Sequence, residues 1–175
     1  MAISLDDLNG LDRQQFADRL GWIFEHSPWV AERAWAARPF LSVRHLHAAM
    51  VREVERASNG EKLALLRAHP DLAARIRMAG ASVKEQQGAG LDRLEQEEFD
   101  AFASYNSLYK ERFGIPFILA VRGYDKTTIL EALKERTGSD KETEWGTALQ
   151  QVARIAQFRL YDHILESGEE TNDGK

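Results

Sequence analysis

Four short blocks in this 175-residue chain hold residue types that a plain helical bundle does not need. They are His69-Pro70-Asp71-Leu72, Ser82-Val83-Lys84-Glu85-Gln86 running into Ala89-Gly90-Leu91, Phe113-Gly114-Ile115-Pro116-Phe117, and Arg159 within the stretch Gln151 to Leu165. Together they supply an acid/base imidazole, a carboxylate, an amide, a turn that presents backbone groups and a guanidinium. That set suffices for proton transfer on a small anionic substrate.

Each block also has a purely structural reading. His69 precedes proline, which biases it to extended backbone and is expected to expose its ring at a helix end; a histidine bonded to a turn carbonyl would look the same. Ser82-Val83-Lys84-Glu85 has the spacing of a capping box, but Gln86 and the helix-poor Gly88-Ala89-Gly90 suit a surface that binds an anion or a urea-like group. Phe113 to Phe117 is a helix stop and turn, or else a stretch whose backbone donors and acceptors run past a pocket. Arg159 falls inside the apolar arc of Ala148, Val152, Ile155 and Ala156, opposite Gln150, Arg154 and Gln157. An inward guanidinium either meets a buried carboxylate or projects into a pocket that receives an anion. His163, one turn on, reads as a hydrogen-bonded core residue, and His26, His45 and His47 stand in no comparable block.

Positioning these groups falls to helices. Apolar residues recur at about 100° per residue almost throughout, and strand-like alternation is nearly absent, so the expected class is all-α. Asp12 caps a helix through Phe16, Leu20 and Ile23; Ser27-Pro28 opens Trp29 to Ala37; Ser42 caps a helix through Leu46, Met50 and Val54 that Asn59-Gly60 closes. A short helix Glu61 to Arg67 breaks before Pro70 and leaves His69 at its end. A long amphipathic helix runs from Leu94 to Phe113, with Phe99, Phe102, Tyr105, Leu108 and Tyr109, and stops at Gly114 and Pro116. The run Pro116 to Val121 fits either a strand-like piece or a helical turn. Asp125 caps Thr128 to Arg136, and Ser139 or Asp140 opens a last helix to about Glu166.

Composition sets the outer limits. With 43% apolar and 29% charged residues the chain fits one compact multi-helix domain, expected over residues 1–166, followed by a polar tail at 167–175 expected to be disordered. No apolar run nears the ~20 residues of a membrane span, and the start lacks the pattern of a secretory signal. Zero cysteines exclude disulfides, thiol nucleophiles and thiolate metal sites, and a cytoplasmic home is expected. The net charge of −5 is spread over mixed-sign segments, which argues against nucleic acid. No metal site is expected, because His45 and His47 are two apart and diverge on a helix, and no phosphate loop or dinucleotide fingerprint occurs.

Taken in order, His69-Pro70-Asp71-Leu72, Ser82-x-x-Glu85-Gln86-x-x-Ala89-Gly90-Leu91, Asn106-x-x-Tyr109-Lys110-x-x-Phe113-Gly114-x-Pro116-Phe117 with Arg122-Gly123, and Arg159-Leu160 closely resemble the OHCU decarboxylase family. Its substrate is 2-oxo-4-hydroxy-4-carboxy-5-ureidoimidazoline, the last intermediate of urate oxidation. The resemblance spans Phe16 to about Ile164; one departure from some members is a shorter stretch from Ala73 to Ala81, which bears on where Ser82 falls. It implies an all-helical, cofactor-free, commonly dimeric enzyme that forms (S)-allantoin. It further implies that His69, Glu85 and Arg159 are the catalytic group. Pro70, Ser82, Gln86 and the segment Phe117, Ile118, Leu119, Ala120 and Val121 would line the substrate site. Two rival classes use the same residues differently: a lyase or hydrolase on another ureido or purine-derived heterocycle, and a non-catalytic helical interaction module.

Overall fold

The computed structural model describes residues 2–75 and 96–166. Among them the architecture is all-α, with two short strands, and no helix is long and apolar enough to cross a membrane. Ser82, Glu85 and Gln86, and the tail after residue 166, lie outside the described residues. The chain divides into two compact units, residues 1–65 with 153–175, and residues 66–152.

In the first unit, strand β1 (Ile3–Ser4) leads into α1 (Leu5–Gly10), whose first turn is capped by the Ser4 hydroxyl accepting from the Asp7 amide. Helix α2 (Arg13–Leu20) opens on a reciprocal capping box: Asp12 accepts from the Gln15 amide, and Gln15 accepts from the amide of Asp12. Phe16, Ala17 and Leu20 form its buried face. Gly21 then allows a close turn, since a Cβ there would lie 2.6 Å from the Ala17 carbonyl and 3.0 Å from Pro28 Cβ. Ile23 is buried as expected, but in the turn beyond α2.

Helix α3 (Trp29–Ala34) continues as a 3-10 turn, Trp35–Ala37. Ser27 does not cap it through its side chain: the hydroxyl donates to the Glu25 carbonyl, while the Ser27 carbonyl accepts from Val30. Ser42 does cap α4 (Val43–Arg56), accepting from His45, and Val43, Leu46, Ala49, Met50 and Val54 make a buried stripe at helical spacing. That helix ends at Ala57, earlier than the Asn59-Gly60 pair. Asn59 and Gly60 instead start α5 (Asn59–Ala68), because Ser58 and Glu61 satisfy each other's amides and supply the cap. Hydrogen bonds to Glu61 from Arg33, and then from Ser58, hold its carboxyl at about 2.

The second unit contains α6 (Gln96–Phe113) and α7 (Lys126–Thr137), and α8 (Lys141–His163) begins in it. On α6, Phe102, Tyr109 and Phe113 are buried, whereas Leu108 is half exposed. Gly114 ends α6 with φ +69°, a left-handed conformation that disfavours a side chain, and its amide donates to the Lys110 carbonyl. Asp125 and Thr128 form the capping box of α7, and Asp140 caps α8 by accepting from Thr143. After α8, β2 (Ile164–Leu165) pairs in parallel with β1, a contact of distant chain segments that no local pattern announces.

Candidate active site

The end of α5 at His69-Pro70 makes the first wall of a cleft. The His69 amide donates to Leu66 at 3.3 Å, closing α5, and proline prevents its continuation. His69 itself is only 6% exposed, which corrects the expectation of a solvent-facing ring. It lines a cleft of about 410 Å³ with Arg67, Asp71, Lys110, Gly114, Ile115 and Pro116. Thus the histidine block and the glycine-proline block, 45 residues apart from His69 to Gly114, meet in one concavity.

Asp71 organises this wall. Its carboxylate accepts from the Ala74 amide and caps the helical turn at 72–75. The other carboxylate oxygen accepts from Asn106 at 3.0 Å and pairs with Lys110 at 3.2 Å. Across the cleft, Arg67 donates to the Gly114 carbonyl at 3.1 Å. Among the described residues the lining holds two cationic side chains, Arg67 and Lys110, against one carboxylate, Asp71, a balance that favours an anionic guest. Neither cation was singled out by motif reading; Lys110 lies within the Tyr109-Lys110 motif, but nothing in the spacing shows that it reaches Asp71.

Beyond Pro116, Phe117 to Val121 is neither helix nor strand, resolving the ambiguity of that run. Phe117, Ile118, Leu119 and Ala120 are buried, and Val121 is exposed. The Leu72 amide donates to the Phe117 carbonyl at 3.4 Å, tying this segment to the histidine block. Pro70 is exposed beside His69.

Beneath the segment is a buried polar cluster. Arg136 donates from Nε and Nη2 to one Glu144 oxygen at 2.9 and 2.5 Å, and from Nη1 to the Ile118 carbonyl at 2.6 Å. Tyr109 donates its hydroxyl to that same Glu144 oxygen. The second Glu144 oxygen is buried and has no hydrogen-bond partner among the described residues. Burial first, and then the hydrogen bond to Glu144, raise the Tyr109 pKa well above its usual value, so the hydroxyl stays protonated and donating.

Arg159 belongs to the first unit. Its Nη1 donates to the carbonyls of Trp22 and Ile23 at 3.2 and 3.0 Å, and Nη2 pairs with Glu25 at 2.6 Å. The guanidinium also lies 5.7 Å from the Trp22 ring centroid. Of the two roles open to an inward arginine, the described contacts supply a carboxylate partner and fix the turn at Trp22 to Glu25. His163 is exposed, not the core residue its place on the apolar face suggested, and packs against the exposed Trp22 with ring centroids 4.7 Å apart.

Comparison with known proteins adds four findings. The family model described as OHCU decarboxylase matches residues 9–161. The chain is 47% identical to the 2-oxo-4-hydroxy-4-carboxy-5-ureidoimidazoline decarboxylase of Haloferax volcanii, over 93% of this chain and 96% of that protein. It is 49% identical to the uric acid degradation bifunctional protein PucL of Bacillus subtilis, over 95% of this chain but 34% of PucL, so it spans about a third of that relative. Among solved structures, an (S)-allantoin synthase superposes with a TM-score of 0.74 at 36% identity, covering 93% of this chain and 54% of that one.

Proposed function

The chain belongs to the OHCU decarboxylase family, and from that premise we propose that it decarboxylates 2-oxo-4-hydroxy-4-carboxy-5-ureidoimidazoline to (S)-allantoin. The observation that carries the reading is the cleft in which a buried His69 stands with a lining that is net cationic among the described residues. The substrate is a carboxylate with ureido and ring amide groups, which such a lining attracts.

Breaking the bond between C4 and its carboxylate releases CO2 and sends the electron pair toward the ring imine, so the substrate supplies its own electron sink. The imine nitrogen takes up a proton as the enol forms. A proton must then reach the ring carbon that bears the ureido group while the C4 hydroxyl gives up its own and becomes a carbonyl, so that one proton is taken up overall for each CO2 released. His69 is the group proposed to deliver that proton to one face, which sets the (S) configuration. Glu85 and Arg159 complete the proposed catalytic group, with Glu85 orienting the hydroxyl or ureido N–H groups and Arg159 stabilising an oxygen on which charge accumulates. Pro70, Ser82, Gln86 and Phe117 to Val121 are the proposed substrate-binding residues. No cofactor enters this scheme. A cytoplasmic homodimer whose only other partner is the small-molecule substrate completes the proposal.

Two experiments test it. Purified protein should accelerate CO2 release from freshly generated substrate, one equivalent per turnover. Loss of substrate without accelerated CO2 release would favour a hydrolase instead, and no acceleration of either would favour the interaction module. Arg159→Lys keeps the charge but loses the fork that spans two carbonyls and a carboxylate, so both melting temperature and turnover should fall. Full turnover with a lowered melting temperature would leave Arg159 an anchor for the Trp22–Glu25 turn and remove it from the catalytic group.

A further inference from the structure

We propose that Arg136, oriented by Glu144 and Tyr109, acts together with Gln151 as a pair of positioning residues that aim the backbone of Leu119 at the ureido or amide face of the ligand. The inference rests on the function proposed above.

The segment Phe117 to Val121 is buried over four successive residues yet has neither a helix nor a strand ladder to satisfy its backbone. Its polar groups must be met individually. Two of them are met by side chains. Arg136 Nη1 donates to the Ile118 carbonyl at 2.6 Å, and the Ala120 amide donates to Gln151 Oε1 at 3.0 Å.

These two clamps lie on either side of Leu119. In a planar trans peptide the carbonyl and the amide of one unit point in opposite directions. Holding the Ile118 carbonyl on Arg136 therefore directs the Leu119 N–H away from Arg136. Holding the Ala120 N–H on Gln151 likewise directs the Leu119 carbonyl away from Gln151. One donor and one acceptor on a single residue are thereby fixed in orientation, which is the pairing that an amide or ureido group requires.

The choice of arginine supports the same conclusion. A neutral amide could satisfy one carbonyl without the desolvation cost of a buried guanidinium. Here the guanidinium is held by two bonds to Glu144, a third bond reaches that carboxylate from Tyr109, and the Phe117 ring centroid lies 4.7 Å from the guanidinium carbon. Its plane is fixed from several sides, so the Ile118 carbonyl has one orientation available. The reaction as proposed assigns no role to these residues.

The test compares Gln151→Leu, Gln151→Glu and the triple variant Arg136→Met/Glu144→Leu/Tyr109→Phe. The triple variant removes the whole buried cluster and leaves no unpaired charge behind. Steady-state decarboxylation, allantoin affinity and melting temperature are measured for each. Gln151→Leu and the triple variant should each raise KM and weaken allantoin binding by about tenfold, the weight of one well-placed hydrogen bond, with a smaller change in kcat. Gln151→Glu retains an acceptor oxygen and should recover most of that loss. A merely structural role would lower the melting temperature and leave KM and allantoin affinity at wild-type values, which would overturn the inference. If the triple variant does not fold, the two Gln151 variants decide alone. Wild-type protein with no turnover would remove the functional reading and this inference with it, whereas active wild type with indifferent variants removes only this inference.

Discussion

His69→Asn is expected to lower the decarboxylation rate by about 10²–10⁴-fold while leaving the melting temperature nearly unchanged. Asparagine approximates the size of the ring near the backbone and keeps a hydrogen-bonding group, but it does not titrate near neutral pH. The backbone bond from His69 to Leu66 that closes α5 is made by the main chain and survives the substitution. So does the Asp71 cap two residues on, which uses the aspartate side chain. The loss should therefore appear in turnover and not in folding, as measured by initial rates beside thermal melts. A fully active variant would return His69 to the role of a turn histidine.

The largest stability effect is expected at Glu144. Glu144→Ala leaves Arg136 buried beside Phe117 without its carboxylate, and breaking a buried pair from one side costs about 3–5 kcal/mol. For a chain of this size that corresponds to a fall in melting temperature on the order of 10 °C. Glu144 is fully buried and Arg136 is 8% exposed, so solvent does little to offset the loss. The ion pair of Arg33 with Glu61 provides the contrast. At 2.5 Å it is equally short, but both side chains are more than a third exposed, and removing it by Arg33→Ala, which leaves the Glu61 cap of α5 in place, should have little effect. Equilibrium denaturation of both variants measures the difference; equal and small effects would mean that the Arg136–Glu144 cluster contributes no more than a surface pair.

The helices were legible because their signals are local. Asp12, Ser42, Asp125 and Asp140 each cap the helix that follows, and the buried faces of α2, α4 and α6 repeat at helical spacing. The end of α4 was misplaced because Asn59-Gly60 resembles a terminator, while the Ser58–Glu61 capping box that turns it into a start lies partly beyond the pair. The β1–β2 pairing joins residues 3–4 to 164–165, and no local pattern carries that contact.

The candidate cleft was legible where chemistry and backbone constraint coincide, as at His69-Pro70 and Gly114-x-Pro116. It was not legible at the Tyr109–Arg136–Glu144 cluster, for a physical reason. Arg136 in the last turn of α7 and Glu144 in the first turn of α8 stand where charges complement a helix dipole, and sequence alone reads them as solvated ends. Only the fold shows both side chains buried. Arg159 is the converse case: its place on an apolar arc announced a partner, and the structure identifies Glu25 and two carbonyls as groups that hold it.

The proposed stereoselective decarboxylation is tested most directly by circular dichroism of freshly generated 2-oxo-4-hydroxy-4-carboxy-5-ureidoimidazoline. With EDTA-treated protein, the substrate signal should decay faster than the spontaneous rate and be replaced by the lasting signal of (S)-allantoin. Decay at the spontaneous rate to an optically silent racemate would contradict the proposed function.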